Sequence, residues 1–391
     1  MTSRRVLLYV QHLLGIGHFK RTATIAAALT HAGMDVTLVS GGFEVPGMVV
    51  DVAHLVQLPP AGTADLTFKS LIDGSGNPVD AQWKQRRCDL LLAAWRRADP
   101  HVVVIELFPF GRRQMRFELL PLLDAAIVAT HRPVIVSSVR DVLGGGQADT
   151  ARQDQMLALF EQYFDQLLVH GDPALIPFDK TFRHVDAIAA RMHYTGYVVD
   201  RLPAAAAAGQ PGTGEVMVSA GGGAVGRRLL ETALRARPLS VLARHPWRVL
   251  AGSSAPQSDL AELSTLAGAA LGGGVVVERH RADFARRLAH CRLSISQGGY
   301  NTIMETLHAG ARAVVVPFAG GAETEQTLRA RLLAERGWID VVEEADLSPQ
   351  SLAQAIDHAV MRQWVSRNSV NLDGARCSAE LIRRWAGERS W

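Results

Sequence analysis

The hydrophobic residues of the first half of the chain fall into short consecutive runs. These runs occupy 6–10, 36–40, 49–58, 102–107, 134–138 and 167–170. Consecutive apolar positions of this length are typical of parallel strands that are covered on both faces. Segments with helical spacing lie between several of the runs, for example at 22–31 and 83–98. The alternation predicts a doubly wound α/β domain.

The alternation stops near Tyr197 and then begins again. The stretch 199–214, VDRLPAAAAAGQPGTG, is rich in Ala, Pro and Gly, and we interpret 201–214 as an interdomain linker. New apolar runs follow at 216–219, 247–250, 275–278, 293–296, 313–316 and 339–342. A second α/β domain of similar size is therefore expected.

The predicted organisation has four parts: an N-terminal Rossmann-like domain over 1–200, the linker over 201–214, a C-terminal domain over 215–374 and a helix over 375–391. Packing of the last helix back on the N-terminal domain is one option for it. Ligands of open α/β sheets bind beyond the carboxyl ends of the strands, so we expect the two domains to face each other across a ligand-binding cleft.

Composition narrows the class of protein. The 391 residues are 48% hydrophobic and 20% charged, as in an ordinary soluble globular protein, and the length favours two domains. The net charge of +3 is dispersed, without the Lys/Arg block of a nucleic-acid-binding tail. The three cysteines, Cys88, Cys291 and Cys377, form no CxxC pair, which argues against a zinc site and fits a reducing cytoplasm. The N-terminal segment MTSRRVLLYVQHL has too short an apolar run for a signal peptide and is expected to form the first strand. No apolar run reaches about 18 residues, so no membrane span is expected.

Two glycines follow the apolar run 293–296 and precede a helical segment. In ISQGGYNTIMETLHAGARAVVVPF, Gly298 and Gly299 allow a tight turn, and the helix start offers backbone N–H groups and a positive dipole end to a phosphate. Glu305 lies six residues further on, roughly 9–10 Å along the axis at about 1.5 Å per residue, where a carboxylate can bind both hydroxyls of a ribose. The alternative is a plain strand–helix turn with a solvated Glu.

Two further glycine-bearing loops follow strands in the second domain. They are 219–230, SAGGGAVGRRLL, and 317–326, PFAGGAETEQ. The first supplies possible diphosphate contacts and the second supplies polar groups suited to sugar hydroxyls; the residues concerned are Gly221, Gly222, Arg227, Arg228, Glu323, Glu325 and Gln326. Tight turns and a solvated first helical turn are the structural alternatives. Three such loops at strand ends in one domain exceed what turns alone require.

In the first domain, YVQHLLGIGHFKRTATIAAAL joins the first strand to the first helix. Gly15 and Gly17 allow a close approach of the backbone, and His18 stands at the helix start. The positive end of a helix disfavours the charged form of a histidine, so His18 is expected to be neutral and able to act as a general base. Capping or packing of the turn is the alternative. GxGH differs from the dinucleotide fingerprint GxGxxG, and no acid ends the second strand, which argues against an NAD-type dehydrogenase.

Two acids at other strand ends are candidates to orient or assist His18. Glu106 lies in VVVIELFPFGRR and Asp141 lies in VSSVRDVLGGG. Both follow predicted strands, and structural or substrate-positioning roles are the alternatives to catalysis. Between them, Phe108 and Phe110 with nearby arginines offer a surface for peripheral contact with an anionic membrane, against the alternative of a core and solvated helix.

The segment 295–318, followed by Glu325 and Gln326, resembles the donor-binding signature of glycosyltransferase family 28. That family has the GT-B fold and includes the N-acetylglucosaminyltransferase of peptidoglycan lipid synthesis. The match is specific over about 215–345, whereas in the first domain it consists mainly of the GIGH loop, where the family usually has GGH. The segment 106–123 looks closer to uncharacterised bacterial relatives.

The resemblance implies roles for individual residues. It implies that Glu305 holds the ribose of UDP, that the glycine turn faces the diphosphate, and that backbone at 279–281 meets the uracil. The implied donor-binding set is Gly221, Gly222, Arg227, Arg279, His280, Arg281, Gly298, Gly299, Asn301, Thr302, Glu305, Glu325 and Gln326. Gly15 and Gly17 would form the acceptor loop, and His18, Glu106 and Asp141 are the catalytic candidates.

These observations lead to the expectation of an inverting, UDP-sugar-dependent glycosyltransferase that needs neither a cofactor nor a metal. Its partners are expected to be a nucleotide sugar and a small-molecule or lipid-linked acceptor, with no nucleic acid and at most peripheral membrane contact. A nucleotide-sugar hydrolase or 2-epimerase on the same scaffold is the second hypothesis. A non-catalytic nucleotide-sugar-binding protein is the third.

Overall fold

A computed structural model describes most of the chain. The described residues are 3–13, 15–45, 48–63, 70–144, 149–200, 210–220, 226–252, 255–269, 273–281, 283–320, 325–363 and 370–388. They divide into two compact units, one formed by 1–198 together with 371–391 and the other by 199–370.

Fifteen strands are present in the described residues. They are β1 Arg5–Val10, β2 Asp35–Ser40, β3 His54–Gln57, β4 Gly62–Thr63, β5 Leu71–Ile72, β6 Val102–Glu106, β7 Val134–Arg140, β8 Gln166–His170, β9 Met192–Tyr194, β10 Val216–Ser219, β11 Trp247–Leu250, β12 Val275–Glu278, β13 Leu293–Ser296, β14 Ala313–Val315 and β15 Asp340–Val341.

Twelve α-helices accompany them in the same parts of the chain. They are α1 Gly17–His31, α2 Ala81–Ala98, α3 Arg116–Ile127, α4 Thr150–Tyr163, α5 Val185–Ile188, α6 Arg227–Ala236, α7 Gln257–Ala269, α8 Phe284–Leu288, α9 Tyr300–His308, α10 Glu325–Glu335, α11 Pro349–Met361 and α12 Gly374–Glu388. None of these helices is long and apolar enough to cross a membrane.

The first unit is built on a seven-stranded parallel sheet with the strand order β3-β2-β1-β6-β7-β8-β9. The strand order reverses between β1 and β6, and such a switch point opens a crevice at the carboxyl ends of the strands. Consecutive residues of β1 and β6 are buried because helices cover both faces of the sheet. This arrangement brings the ends of β1, β6 and β7 together.

The last helix of the chain belongs to the first unit. Ile382 and Trp385 of α12 join Ile25 and Leu29 of α1 in one buried apolar cluster. Gly374 starts α12 against the backbone at Tyr197, where an added Cβ would come within 2.7 Å of the Tyr197 carbonyl oxygen. The close approach explains why a glycine stands at this crossing.

The second unit is built on a six-stranded parallel sheet with the order β12-β11-β10-β13-β14-β15. Its strand order also reverses, between β10 and β13. Its apolar cluster is formed by the buried faces of the strands with α6, α7 and α11. The carboxyl ends of β10, β13 and β14 lie side by side at the switch point.

The two doubly wound sheets confirm the α/β fold class that the alternation predicts. The strand predicted over 49–58 is wrong in its first part, because only His54–Gln57 pairs with β2, and Val49 is exposed. The C-terminal domain was predicted to extend to 374, but the unit ends at 370. The reason is that Tyr197 N–H donates to Asn371 O at 2.7 Å and Gly374 N–H donates to Tyr197 O at 3.0 Å. Most of the predicted linker, 201–209, lies outside the described residues.

Candidate functional site

His18 stands on the first turn of α1, beyond the carboxyl end of β1, and contacts the acid that ends β6. His18 Nδ1 lies 2.7 Å from Glu106 Oε1. Because a carboxylate only accepts hydrogen bonds, Nδ1 carries the proton of the neutral ring and donates it to Glu106. The lone pair of the ring then lies on Nε2, the atom that can take a proton from a substrate.

Three arginines surround this histidine. Arg21, one turn along α1, pairs with Glu106, and Arg140 Nη2 at the end of β7 lies 3.3 Å from His18 Nε2. Burial, followed by the charges of Arg112, Arg140 and Arg21, holds the pKa of His18 well below its usual range. This direction agrees with the neutral form expected from the sequence, although its causes are burial and the arginines rather than the helix dipole.

A chain of buried hydrogen bonds supports Glu106 from behind. Ser138 Oγ on β7 donates to Glu106 Oε2 at 3.1 Å, and it also lies 2.8 Å from His170 Nε2 on β8. His170 Nδ1 in turn lies 2.9 Å from Thr195 Oγ1. Burial lowers the pKa of His170 to about 3, so this histidine is neutral. The chain fixes the Glu106 carboxylate in position.

The second predicted acid, Asp141, has a different environment. Its carboxylate is buried and accepts a hydrogen bond from Tyr197 Oη at 2.8 Å. A Cβ on Gly171 would lie 2.5 Å from the Cβ of Asp141, so glycine leaves space for the acid. The contact with Tyr197 supports a structural role, and participation of Asp141 in catalysis stays a prediction.

The glycines of the first loop differ in their surroundings. A Cβ on Gly15 would meet no atom within 4 Å, so this position borders open space. Gly17 is the first residue of α1, and Lys20 N–H donates to Ile16 O at the helix start. The backbone at Gly15 therefore borders open space, and the role of this loop in binding an acceptor stays a prediction.

In the second unit, β13 passes through a glycine turn into α9. Gly298 packs against α10, because an added Cβ would lie 3.1 Å from the Cβ of Gln326 and 3.3 Å from its carbonyl oxygen. Gly299 is the N-cap residue of α9, and a Cβ there would meet nothing within 4 Å. One glycine is thus required for packing, whereas the other leaves open space at a helix N-terminus, where an anion is favoured.

Gln326 links this turn to the end of the next strand. Its side-chain Oε1 accepts a hydrogen bond from Phe318 N–H at 3.1 Å. Gln326 therefore ties the loop after β14 to the turn after β13. This places it at the predicted donor-binding edge of the sheet, although its hydrogen bond within the described residues is a structural one.

Glu305 lies on the second turn of α9 together with the buried residues Ile303, Met304 and Leu307. Only 7% of Glu305 is exposed, so the alternative of a freely solvated surface acid is wrong. Asn301 and Thr302 on the first turn are partly buried, and Thr302 O accepts from Thr306 Oγ1 at 2.7 Å. A role in ribose binding stays a prediction for Glu305.

A cavity of about 270 Å³ opens beside the glycine turn, at the carboxyl ends of the central strands of the second unit. Its lining residues come from the start of α6, the ends of β13 and β14 and the loop before α11; they are Gly226, Arg227, Arg228, Leu229, Gln297, Val316, Phe318, Glu344 and Leu347. Sequence reasoning did not single out Gln297, Phe318 or Glu344. The position of Gln297 directly before Gly298 was the available signal.

The two arginines at the start of α6, Arg227 and Arg228, differ in their contacts. Arg227 contacts Glu231, Asp259 and Glu262, and all four side chains are at least partly exposed. Arg228 instead reaches Leu347 O at 3.3 Å and carries no ion pair within the described residues. Of the two adjacent arginines, Arg228 therefore presents the less compensated charge to the cavity.

The side chains of the segment 279–281, which is predicted to contact the uracil of the donor, also form contacts within the second unit. Arg281 is paired with Asp283 and Glu278, while the Arg279 side chain donates to Gln257 Oε1 at 2.8 Å. Arg279 O accepts from Gly252 N–H at 2.8 Å, which ties the segment to the end of β11. His280 is exposed. The contacts of this segment with a base stay a prediction.

Glu325 starts α10 and forms a buried ion pair with Arg329 at 2.9 Å. The guanidinium of Arg329 lies over the ring of Tyr300, 5.2 Å from its centre. The structure thus gives Glu325 a structural partner that the sequence reasoning missed. Gly221, Gly222 and Glu323 lie outside the described residues.

Two further expectations concern metals and membranes. Within the described ranges, no group of three or more His, Cys, Asp or Glu residues could hold a metal ion, and metal independence stays a prediction.

Phe108 and Phe110 are each 1% exposed and belong to the apolar cluster of the first unit. A membrane-contacting surface built on these two rings is therefore wrong, because the rings are needed to fill the core.

Residues 250–370 match the model of the glycosyltransferase family 28 C-terminal domain. This match contains the glycine turn, Glu305 and the loop that leads to Gln326. The second unit thus carries a family 28 C-terminal domain, as the sequence signature indicated.

Curated relatives also match parts of the chain. A UDP-N-acetylglucosamine–N-acetylmuramyl-(pentapeptide) pyrophosphoryl-undecaprenol N-acetylglucosamine transferase of Granulibacter bethesdensis is 31% identical over 246 residues, which cover 60% of this chain and 57% of that enzyme. The enzyme of the same name from Brucella canis is 32% identical over 115 residues, covering 28% of this chain and 30% of that enzyme. The chain therefore spans less than two thirds of the length of these relatives.

Solved structures agree over nearly the whole chain. The glycotransferase of kitacinnamycin superposes with a TM-score of 0.63 at 16% identity, covering 98% of this chain and all of that one. Acinetobacter baumannii MurG superposes with a TM-score of 0.59 at 16% identity, covering 97% and 99%. The chain has the GT-B fold of two Rossmann-like domains, and it resembles MurG-like glycosyltransferases in its C-terminal domain.

Proposed function

We propose that the protein is an inverting glycosyltransferase that moves a sugar from a UDP-linked donor to an acceptor hydroxyl. The family 28 C-terminal domain supports the class of reaction, and the names of the curated relatives support a UDP-linked donor. The observation that carries the proposal is the 2.7 Å contact between His18 Nδ1 and the buried Glu106 carboxylate. It gives a neutral histidine whose second ring nitrogen is free of the proton.

In the proposed reaction, His18 Nε2 removes the proton of the acceptor hydroxyl. The hydroxyl oxygen forms a bond to the anomeric carbon on the face opposite the nucleoside diphosphate, and the bond from that carbon to the diphosphate oxygen breaks. The carboxylate of Glu106 stabilises the imidazolium through its hydrogen bond with Nδ1–H, as the acid of a catalytic triad does. Arg21 and Ser138 hold the carboxylate in place.

The donor is assigned to the second unit. Glu305 on α9 accepts hydrogen bonds from the ribose hydroxyls, while the open space at Gly299 receives the diphosphate at the helix N-terminus. Arg228 and the helix dipoles offset the negative charge that develops on the leaving diphosphate. We propose that the reaction needs no metal, and the dispersed cysteines support a cytoplasmic setting.

Binding of a nucleotide-sugar panel by calorimetry tests the donor assignment. We expect one UDP-sugar to bind, and Glu305→Gln to weaken it about tenfold or more through the loss of a charge-assisted hydrogen bond of about 1.5–3 kcal/mol. Glu335→Gln, on the exposed face of α10, is the matched control and should bind like the wild type. Equal affinity of Glu305→Gln and wild type would remove the ribose assignment.

The products formed from the UDP-sugar distinguish the transferase from the two other hypotheses for the function. Release of free sugar or of an epimerised sugar without any acceptor would favour the hydrolase or 2-epimerase. Donor binding without turnover of any kind, together with normal binding by His18→Ala, would favour a non-catalytic binding protein. Transfer with inversion at the anomeric carbon, read from proton NMR coupling constants of the product, is the outcome that we expect.

A further inference from the structure

The surroundings of His18 carry more positive charge than the transfer of a proton requires. At the carboxyl ends of β1, β6 and β7, the side chains of Arg21, Arg112 and Arg140 act electrostatically on His18. Glu106 is the carboxylate in contact with this histidine, and it is already paired with Arg21. A partly buried excess of cations is costly unless a counter-ion compensates it.

Arg112 is the arginine whose charge is least compensated. Its Nε–H donates to Gln11 O at 2.8 Å, and no ion pair with a carboxylate of the described residues satisfies the guanidinium. Burial, together with the charges of Arg140 and Arg21 and against the attraction of Glu106, lowers the pKa of Arg112 to about 10. Within the described residues no hydrogen bond engages the two terminal nitrogens of its guanidinium, so they remain for a ligand.

The backbone at Arg112 is in an unusual conformation. Its φ of 56° and ψ of 32° are left-handed, a region that residues with a Cβ seldom occupy. Gly111 N–H donates to Leu107 O at 2.7 Å, and Met115 N–H donates to Arg112 O at 2.9 Å, so the loop holds this conformation by hydrogen bonds on both sides. Strained positions of this kind concentrate at ligand-binding sites.

We propose that the acceptor substrate carries an anionic group, a carboxylate or a phosphate, which Arg112 and Arg140 bind beside Nε2 of His18. Arg140 Nη2 lies 3.3 Å from that nitrogen, so an acceptor hydroxyl that reaches Nε2 comes within reach of Arg140. The planar guanidinium binds either oxyanion through two parallel hydrogen bonds. This inference rests on the proposed function, because it assigns the acceptor of the same transfer.

Binding of the anion would also activate the base. The groups that face His18 are Arg21 on its own helix, Glu106 on β6, Arg112 in the following loop, Arg140 on β7 and His12 after β1. An anion on Arg112 and Arg140 offsets two of the charges that lower the pKa of His18. The histidine therefore becomes more basic when the acceptor arrives, which favours proton transfer only in the loaded enzyme.

The test uses the full chain saturated with UDP, so that the donor site cannot bind the probe. Inorganic phosphate and acetate are titrated separately by calorimetry, and the pKa of His18 is followed by NMR of labelled histidine, assigned with His18→Gln. We expect at least one anion to bind, Arg112→Gln to weaken it tenfold or more, and Arg112→Lys to retain part of the affinity. Arg86→Gln, on the exposed side of α2, is the control and should bind like the wild type.

The pKa of His18 separates a binding role from a merely structural one. It should rise when the anion binds to the wild type and stay unchanged when the anion is added to Arg112→Gln. No binding of either anion at tens of millimolar, or equal binding by wild type and Arg112→Gln, would overturn the inference.

Turnover with matched acceptors separates this inference from the proposed function. Glucose 6-phosphate and glucuronate are compared with glucose, using the UDP-sugar that binds. Preference for an anionic acceptor that is lost in Arg112→Gln supports the inference. Equal transfer to glucose 6-phosphate and to glucuronate by wild type and Arg112→Gln would overturn it and leave the transferase intact, whereas failure to bind any nucleotide sugar would overturn both.

Discussion

Glu106→Gln removes a buried negative charge from beside Arg21 while keeping the size of the side chain. Both side chains are 1% exposed, and Arg112 and Arg140 add positive charge to the same region. After the substitution, the guanidinium of Arg21 remains buried without its counter-charge. The change therefore tests whether the charge on Glu106 matters, rather than its volume.

The expected loss of stability is large. Breaking a buried ion pair by removing one partner costs about 3–5 kcal/mol, because the other charge stays buried. At about 2–4 °C for each kcal/mol in a domain of this size, the melting temperature of the first unit should fall by roughly 6–20 °C. Transfer should also become slower, since an amide fixes neither the tautomer nor the charge of His18 as a carboxylate does.

Calorimetric melting of wild type, Glu106→Gln, Arg21→Met and the double variant measures this coupling. The double variant removes both charges and should recover most of the stability that Glu106→Gln loses. Asp154→Asn, which removes an exposed carboxylate next to His184, is a control with an expected change below about 1 kcal/mol. A melting temperature of Glu106→Gln within about 2 °C of the wild type would refute the reasoning.

Three other predictions concern single positions. His170, with a pKa of about 3 when folded and an ordinary value of 6.5, takes up a proton on unfolding at intermediate pH. The free energy of unfolding should therefore fall by up to about 1.4 kcal/mol per pH unit as the pH drops from about 6 towards 3, and His170→Gln should flatten this slope in urea titrations. Gly298→Ala should lower the melting temperature, because its Cβ meets Gln326 at 3.1 Å; an unchanged value would contradict the packing. Arg228→Gln should weaken UDP binding in calorimetry more than Arg227→Gln, whose charge three carboxylates already offset, and the reverse order would contradict the cavity assignment.

The parallel sheets could be predicted because short runs of consecutive apolar residues are typical of strands that are covered on both faces. The run at 216–219 forms β10 and the run at 293–296 forms β13, with the predicted bounds in both cases. The prediction for 49–58 was partly wrong because apolar residues such as Val49 also occur on loops. In the described residues, only His54–Gln57 of this run pairs with a neighbouring strand. Hydrophobicity therefore located the core strands better than those at the edges.

The candidate site was predictable where a residue stands at a strand end. His18 and Glu106 were both found in this way, although the sequence could not show that their atoms lie in contact. Arg112 and Arg140 were not assigned to this site, because an arginine in a sequence does not reveal whether an acid will compensate it. That information depends on strand order, which brings β1, β6 and β7 together from positions far apart in the chain.

Ion pairs within the second unit explain why Glu325 and Arg227 differ from the donor-binding residues that the sequence predicts. Glu325 looked like a ligand for a sugar, yet Arg329 one turn further along α10 pairs with it in the core. This i, i+4 spacing was visible in the sequence and could have indicated the ion pair. The exposed arginine Arg227 likewise has its acids on two helices, α6 and α7, and only Glu231 is a neighbour in sequence.

Comparison of acceptor-dependent turnover with donor affinity in His18→Ala tests the central claim most directly. His31→Ala, at the exposed end of the same helix, serves as the control. With the UDP-sugar that binds best and an acceptor that the wild type uses, His18→Ala should bind the donor with unchanged affinity and lose about 10²–10⁴-fold in kcat. Retention of wild-type turnover by His18→Ala would contradict the account, because the general base would then have to be another group.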